Sequence, residues 1–235
     1  MTFSVETVAT PFSEDDAVRA FLILVAALIS FLAVAMAEPP ISDVAWNFED
    51  AVVGQLPKGW SAAKTGDGEA GVWKVIEDAS APSGTKVLAQ TSDSPGPMFN
   101  LCVAGESSFK DVALAVSFKA VKGKIDQGGG LVWRYIDANN YFVVRINPLE
   151  DNFRLYKVVN GKRTQIATND GLKIPVGQWH KMSVSMKGDQ IECSLDGKRY
   201  LEATDATITK PGKVGFWTKA DAQSYFDDFR VSASK

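Results

Sequence analysis

Four arginines, two tyrosines and a glutamine fall in phase along a central stretch: Arg134, Arg145, Arg154 and Arg163 with Tyr141, Tyr156 and Gln165. Guanidinium forks recognise hydroxyls and carboxylates, and phenol rings stack on an apolar ring face while offering a hydroxyl. A saccharide presents both kinds of group, so these seven residues are the candidate ligand-binding set. Hydrolytic chemistry has less to work with. A glycosidase needs two carboxyl groups flanking one bond. The nearest acid pairs, Glu150-Asp151 and Asp227-Asp228, are sequence neighbours, and neighbours on a strand point to opposite faces. The single histidine, His180, excludes a metal site built from several histidines within one chain. Gly128-Gly129-Gly130 is not followed by a helical pattern, so it reads as a bulge or a close backbone approach and not as a phosphate loop.

The elements that must carry the set are strands. Residues 129–136, 140–147, 152–159 and 162–168 form a meander in which Leu131, Trp133, Phe142, Val144, Ile146, Phe153 and Leu155 belong to the core. The side-chain period of two then puts the Arg/Tyr set together on the other face, where solvent is expected. Asn160-Gly161 and Asp196-Gly197 are hairpin turns, since both central residues of a type I′ turn need positive φ. Val112, Leu114, Val116 and Phe118 alternate in the same way, as do Met182, Val184 and Met186. Turn residues recur every 8–12 positions or so, which predicts about 12 to 14 strands and an all-β fold of two packed antiparallel sheets, a sandwich or jelly roll.

The chain of 235 residues is 46% apolar and 23% charged, a globular composition. Residues 20–37 carry no charge, follow Arg19 and end in Ala35-Met36-Ala37, the parts of a secretory signal peptide. The stretch before Arg19 is acidic, which suggests a true start at Val18. Domain boundaries follow: 1–37 a signal peptide, 38–44 a linker, 45–235 the β-sandwich. An uncleaved membrane anchor is the other reading of that leader, because 18 apolar residues just span a bilayer. Of the 25 bases and 28 acids, residues 1–37 hold one base and four acids, so the remainder is neutral and has no field to gather nucleic acid. The setting is secreted or periplasmic and the mature chain a monomer. Export makes a disulfide chemically possible, and Cys102–Cys193 is the one available pair. Cys193, in phase with Ile191 and Leu195, also reads as an inward-facing small apolar residue.

Three stretches carry a family resemblance. GQWHKMSVSMKGDQIECSLDGKRY (177–200) resembles the laminin-G-like pattern, and KVGFWTKADAQSYFDDFRV (213–231) resembles the closing strands of concanavalin-A-like lectin/glucanase domains. DQGGGLVWRYIDANNYFVVRI (126–146) is similar to secreted bacterial 3-keto-disaccharide hydrolase or family-16 glycoside-hydrolase-like domains. The resemblance implies a jelly roll with a structural Ca²⁺ where the terminal strands meet, held by Glu49 or Asp50 and Asp227 or Asp228. It implies no glucanase activity, because the Glu-x-Asp-x-x-Glu run of that family is missing. Three functions are expected from it: an oligo- or polysaccharide-binding domain, an enzyme cleaving 3-keto-glycosides, or a laminin-G-like adhesion module. In the enzyme reading His180, Glu192 or Asp137 is the base and Arg134 or Arg145 the oxyanion stabiliser.

Overall fold

In sheet A, strand alternation is regular. β6 (Val112–Lys122) buries Val112, Leu114, Val116 and Phe118 and turns Ala113, Ala115 and Ser117 outward. It pairs antiparallel with β11 (Trp179–Lys187), whose Met182, Val184 and Met186 lie opposite Val116, Leu114 and Val112. The computed structural model describes residues 43–93 and 96–233. The expected leader, the Val18 start and most of the expected linker lie outside the described residues.

Sheet A is completed by β1 (Val44–Trp46), β3 (Trp73–Glu77), β4 (Lys86–Gln90), β12 (Gln190–Leu195), β13 (Lys198–Thr204) and β15 (Gln223–Ala233). Its order is β13-β12-β11-β6-β15-β4-β3, with β1 also on β15. Sheet B contains β2 (Trp60–Thr65), β5 (Phe99–Ala104), β7 (Gly129–Asp137), β8 (Asn140–Asn147), β9 (Asn152–Val159), β10 (Lys162–Asp170) and β14 (Lys213–Lys219). It runs β10-β9-β8-β7-β14-β5-β2. All pairings are antiparallel, and the 15 strands among the described residues are slightly more than the sequence predicts.

The main core lies between the sheets. Trp133, Phe142, Leu155, Phe216, Phe226 and Phe229 belong to it together with Val75, Leu88 and Cys193. Phe216 stacks on Phe226 at 4.4 Å between centroids, joining β14 to β15. The meander strands fall where the sequence puts them, and Asn160 and Asp196 take φ of 50° before glycines at 78° and 80°.

One expectation fails. The outer face of sheet B is not a solvated face. Leu101, Val103, Val132, Tyr141, Val143, Tyr156, Val158 and Trp217 form a second buried cluster there. β7 and β8 are therefore buried on both faces. The disulfide also fails: Cys102 lies on β5 and Cys193 on β12, in different sheets, and both are free and buried. Burial pushes both thiols up and favours the protonated form.

Candidate functional site

Register builds the site. One row across the outer face of sheet B reads Arg154, Arg145, Gly130, Trp217 and Leu101, each opposite the next on neighbouring strands. Tyr156 lies opposite Val143, and Val158 opposite Tyr141. Arg163 and Gln165 lie opposite Val158 and Tyr156. Six of the seven predicted residues thus share one face: Tyr141, Arg145, Arg154, Tyr156, Arg163 and Gln165. Gly130 sits between Arg145 and Trp217, and a Cβ there would come 1.7 Å from the Val144 carbonyl oxygen. The close-approach reading of the glycine run is the correct one.

Arg134 does not join the others. Register shifts between Trp133 and Asp137, and Arg134 takes φ of 43°. Its side chain donates to the carbonyls of Lys110, Ile208 and Gly188 and to Asp111 Oδ1. It is a buried structural cation whose pKa desolvation lowers, an effect partly offset by Asp111.

Arg145 is the centre of the face. It is 1% exposed. Its Nη2 donates to Glu150 Oε2 at 2.7 Å and lies 3.5 Å from the Tyr156 hydroxyl. Its Nη1 stands 3.5 Å from Asp126 Oδ2. Desolvation works against its charge, but Asp126, Tyr156 and Glu150 outweigh that and raise its pKa. Asp126 is fully buried, and Lys219 Nζ approaches the same Oδ2 at 3.4 Å. The loop holding Asp126 is fixed from another element. Asp221, in the β14–β15 turn, accepts the backbone N–H groups of Lys124, Ile125 and Asp126 at 2.7 to 3.0 Å. Tyr141 meets Thr65 Oγ1 at 2.8 Å, and burial raises its pKa.

Arg163 closes the far side. Its guanidinium lies 4.4 Å from the Tyr156 ring, 4.9 Å from Phe99 and 5.7 Å from Trp217. β10 and β5 are five strands apart in the sheet order, so the face is curled enough for their side chains to meet across it.

The network is incomplete. Asp126 Oδ2, Arg145 Nε and Nη1, Asn147 Nδ2, Asn152 Oδ1, Arg163 Nη1 and Trp217 Nε1 are buried and make no hydrogen bond. Asn147 and Asn152 are a register pair one step beyond Arg145 and Arg154 on the same face. Five of these seven atoms are donors. Buried polar atoms left bare are costly, and such a group on one face calls for water or a ligand.

Sequence reasoning missed Asp126, Glu150, Trp217, Lys219 and Phe99 as members of this site. The three bases it offered are engaged elsewhere. His180 Nδ1 contacts Asp196 Oδ2 at 2.8 Å in sheet A. Glu192 pairs with Arg199 at 2.6 Å. Asp137 accepts Asn139 and Asn140 in the β7–β8 turn. Of the four acids offered to calcium, Glu49, Asp227 and Asp228 meet the 83–86 segment. Glu49 accepts the amides of Thr85 and Lys86, and Asp50 is exposed. Asp227 and Asp228 both accept the Ser83 hydroxyl, at 3.4 and 2.9 Å. Among the described residues no three His, Cys, Asp or Glu side chains lie together as a metal site.

Solved structures share this sandwich. A carbohydrate-binding module, CBM66 from Bacillus subtilis, superposes with a TM-score of 0.58 at 20% identity, over 74% of this chain and 96% of that one. The Bacillus licheniformis β-glucanase gives 0.56 at 13% identity over 82% and 99%. The cellulose induced protein Cip1 gives 0.58 at 12% identity over 81% and 97%. No curated protein sequence matches the chain. At these identities the likeness establishes the fold. The sequence itself decides the family: the profile of the 3-keto-alpha-glucoside-1,2-lyase-like domain matches residues 48–232, which hold every strand after β1 nearly to the end of β15 and the whole Arg145 network, and the chain belongs to that family.

Proposed function

We propose that the outer face of sheet B binds a saccharide in the network around Arg145. The observation that carries this is the set of seven buried polar atoms on one face that make no hydrogen bond, of which only Asp126 Oδ2 and Arg145 Nη1 meet an opposite charge. Sugar hydroxyls both donate and accept, and the excess of donors favours a ligand rich in acceptors, such as a sugar bearing a ring ketone. The carbohydrate-binding module among the structural neighbours is in keeping with this reading. Calorimetric titration with methyl α-D-glucoside and its 3-keto derivative tests it. Saturable binding weakened by Lys219→Ala is expected; absence of binding by both sugars overturns the proposal.

A second reading is favoured by Asp126. A fully buried carboxylate oxygen without a hydrogen bond, beside Arg145 and Lys219, is a base placed next to cations. In a 3-keto-α-glucoside the ketone acidifies C2–H. Asp126 would take that proton, the C1=C2 bond would form and the C1–O bond would break, the departing oxygen being protonated. Guanidinium groups would stabilise charge growing on the ketone oxygen. Incubation with 3-keto-trehalose should then release glucose and an unsaturated keto sugar, and Asp126→Asn should abolish release. Binding without turnover leaves the first reading alone. The leader reading sets this activity outside the cytoplasm, and N-terminal sequencing of exported protein should begin at Glu38.

A further inference from the structure

The charges on this face do not balance locally. Arg145 has Glu150 at 2.7 Å and Asp126 at 3.5 Å. Arg154 has Asp170 at 3.0 Å and Glu150 at 3.5 Å. Lys219 has Asp126 at 3.4 Å. Arg163 has no carboxylate within 4 Å and makes no hydrogen bond among the described residues, and its Nη1 is buried. Three aromatic rings hold it by its charge and leave the buried Nη1 without a hydrogen-bond acceptor. Desolvation lowers its pKa, as expected for a cation taken from water without an ion pair. A partly buried guanidinium is expensive unless an anion completes it.

We propose that Arg163 is an anion subsite, and that the saccharide bound on this face carries a carboxylate, as a hexuronate does, where it meets Nη1. The inference rests on the saccharide reading above and adds the charge of the ligand. A planar carboxylate matches the guanidinium fork in two parallel hydrogen bonds, while Tyr156 and Trp217, buried beneath the guanidinium, hold it in place.

The test is calorimetric titration of the purified chain with methyl α-D-glucuronide and with methyl α-D-glucoside, with acetate and sulfate as competitors. The glucuronide should bind about ten- to a hundredfold more tightly, the range of a charge-assisted hydrogen bond. That ratio should collapse toward one in Arg163→Met. This variant should melt at or above the wild-type temperature, because it removes an unpaired charge and keeps an apolar chain against the rings. If it fails to fold, Arg163→Lys should retain only part of the ratio, lacking the fork. Equal affinity for both sugars overturns the anion subsite and leaves saccharide binding standing. Binding of neither overturns both. Acetate or sulfate competing as well as the glucuronide reduces the site to a simple ion site and overturns the hexuronate assignment.

Discussion

Arg145 and Arg154 face each other directly across β8 and β9 and share one carboxylate oxygen, Glu150 Oε2, at 2.7 and 3.5 Å. Like charges directly opposite on a sheet repel, and Glu150 is what allows this pair to stand. Burial alone would raise its pKa, but the Asn152 amide and the two guanidiniums bring it down to about 2. A depressed carboxyl contributes stability above its unfolded pKa, near 4.3 to 4.5, and loses it as pH falls toward 2. The melting temperature should therefore drop through that window, and Glu150→Gln should lower it at neutral pH and flatten the drop. An unchanged acid limb in Glu150→Gln would show that the pair is held by something else.

Arg145 is a buried member of a charged network, so its truncation should not be mild. Arg145→Met should cost about 3–5 kcal/mol, because it leaves the buried Asp126 with Lys219 as its one remaining cation and Glu150 without its closest one. The double variant Arg145→Met/Asp126→Leu should recover much of that loss. Denaturant titration of the two variants decides it, and no recovery in the double variant would count against the Asp126–Arg145 pairing.

Phe142→Ala should cost about 3–5 kcal/mol for a different reason, since it opens a cavity between the sheets. No second substitution at Asp126 should rescue it. The contrast between the two residues, three apart on β8, is measurable in the same titrations.

Gly161→Val should destabilise by about 1–3 kcal/mol, because Gly161 has φ of 78° and a β-branched residue is strained there. Its Cβ would also come 3.3 Å from Asn139 Oδ1. Thermal melts of Gly161→Val and Gly161→Asn compare the strain directly: asparagine, which tolerates this region, should recover part of the loss.

Asp227 has the opposite sign to Glu150. Burial pushes its carboxyl up to about 6, against the amides of Asp228 and Ser83, which favour its charged form. The folded chain then holds this proton more tightly than the unfolded one, so stability falls as pH rises from about 4 to about 6. Asp227→Asn should remove that decline. A calcium ion on this carboxylate would keep it ionised and reverse the slope, so melts run with and without chelator decide between the two: a melting temperature lowered by chelator marks bound calcium, and a decline with rising pH marks the protonated carboxyl.

The strands and their phase were legible because inner-face alternation is simple: Leu131, Trp133, Phe142 and Leu155 lie in the core as the period requires. The outer face was half legible. Its arginines and tyrosines share a face, but Val132, Val143 and Val158 stand among them, and that apolar content was the available sign that the face is buried. Arg134 escaped because a bulge resets phase, and no residue type marks this one. Asp126 and Lys219 escaped because they reach Arg145 from a loop and from another strand, distances that periodicity within one meander does not encode. The Asp126-x-Gly-Gly-Gly run did mark the spot, since glycine at 130 bares the backbone beside Arg145.

The last hairpin has a consequence for how the chain folds. β14 lies between β7 and β5 in one sheet, and β15 lies between β6 and β4 in the other. Before residues 213–233 arrive, sheet B is two separate pieces and sheet A is two with β1 unpaired, all with open edges, and Phe216 and Phe226 are not there to join them. A chain still lacking those residues owns neither sheet, however long it is. Folding must wait for residues 213–233 and then close both layers in one long-range step. Such a topology predicts slow, all-or-none folding in the range of milliseconds to seconds, and a chain shortened by its final two strands should show no cooperative melt at all.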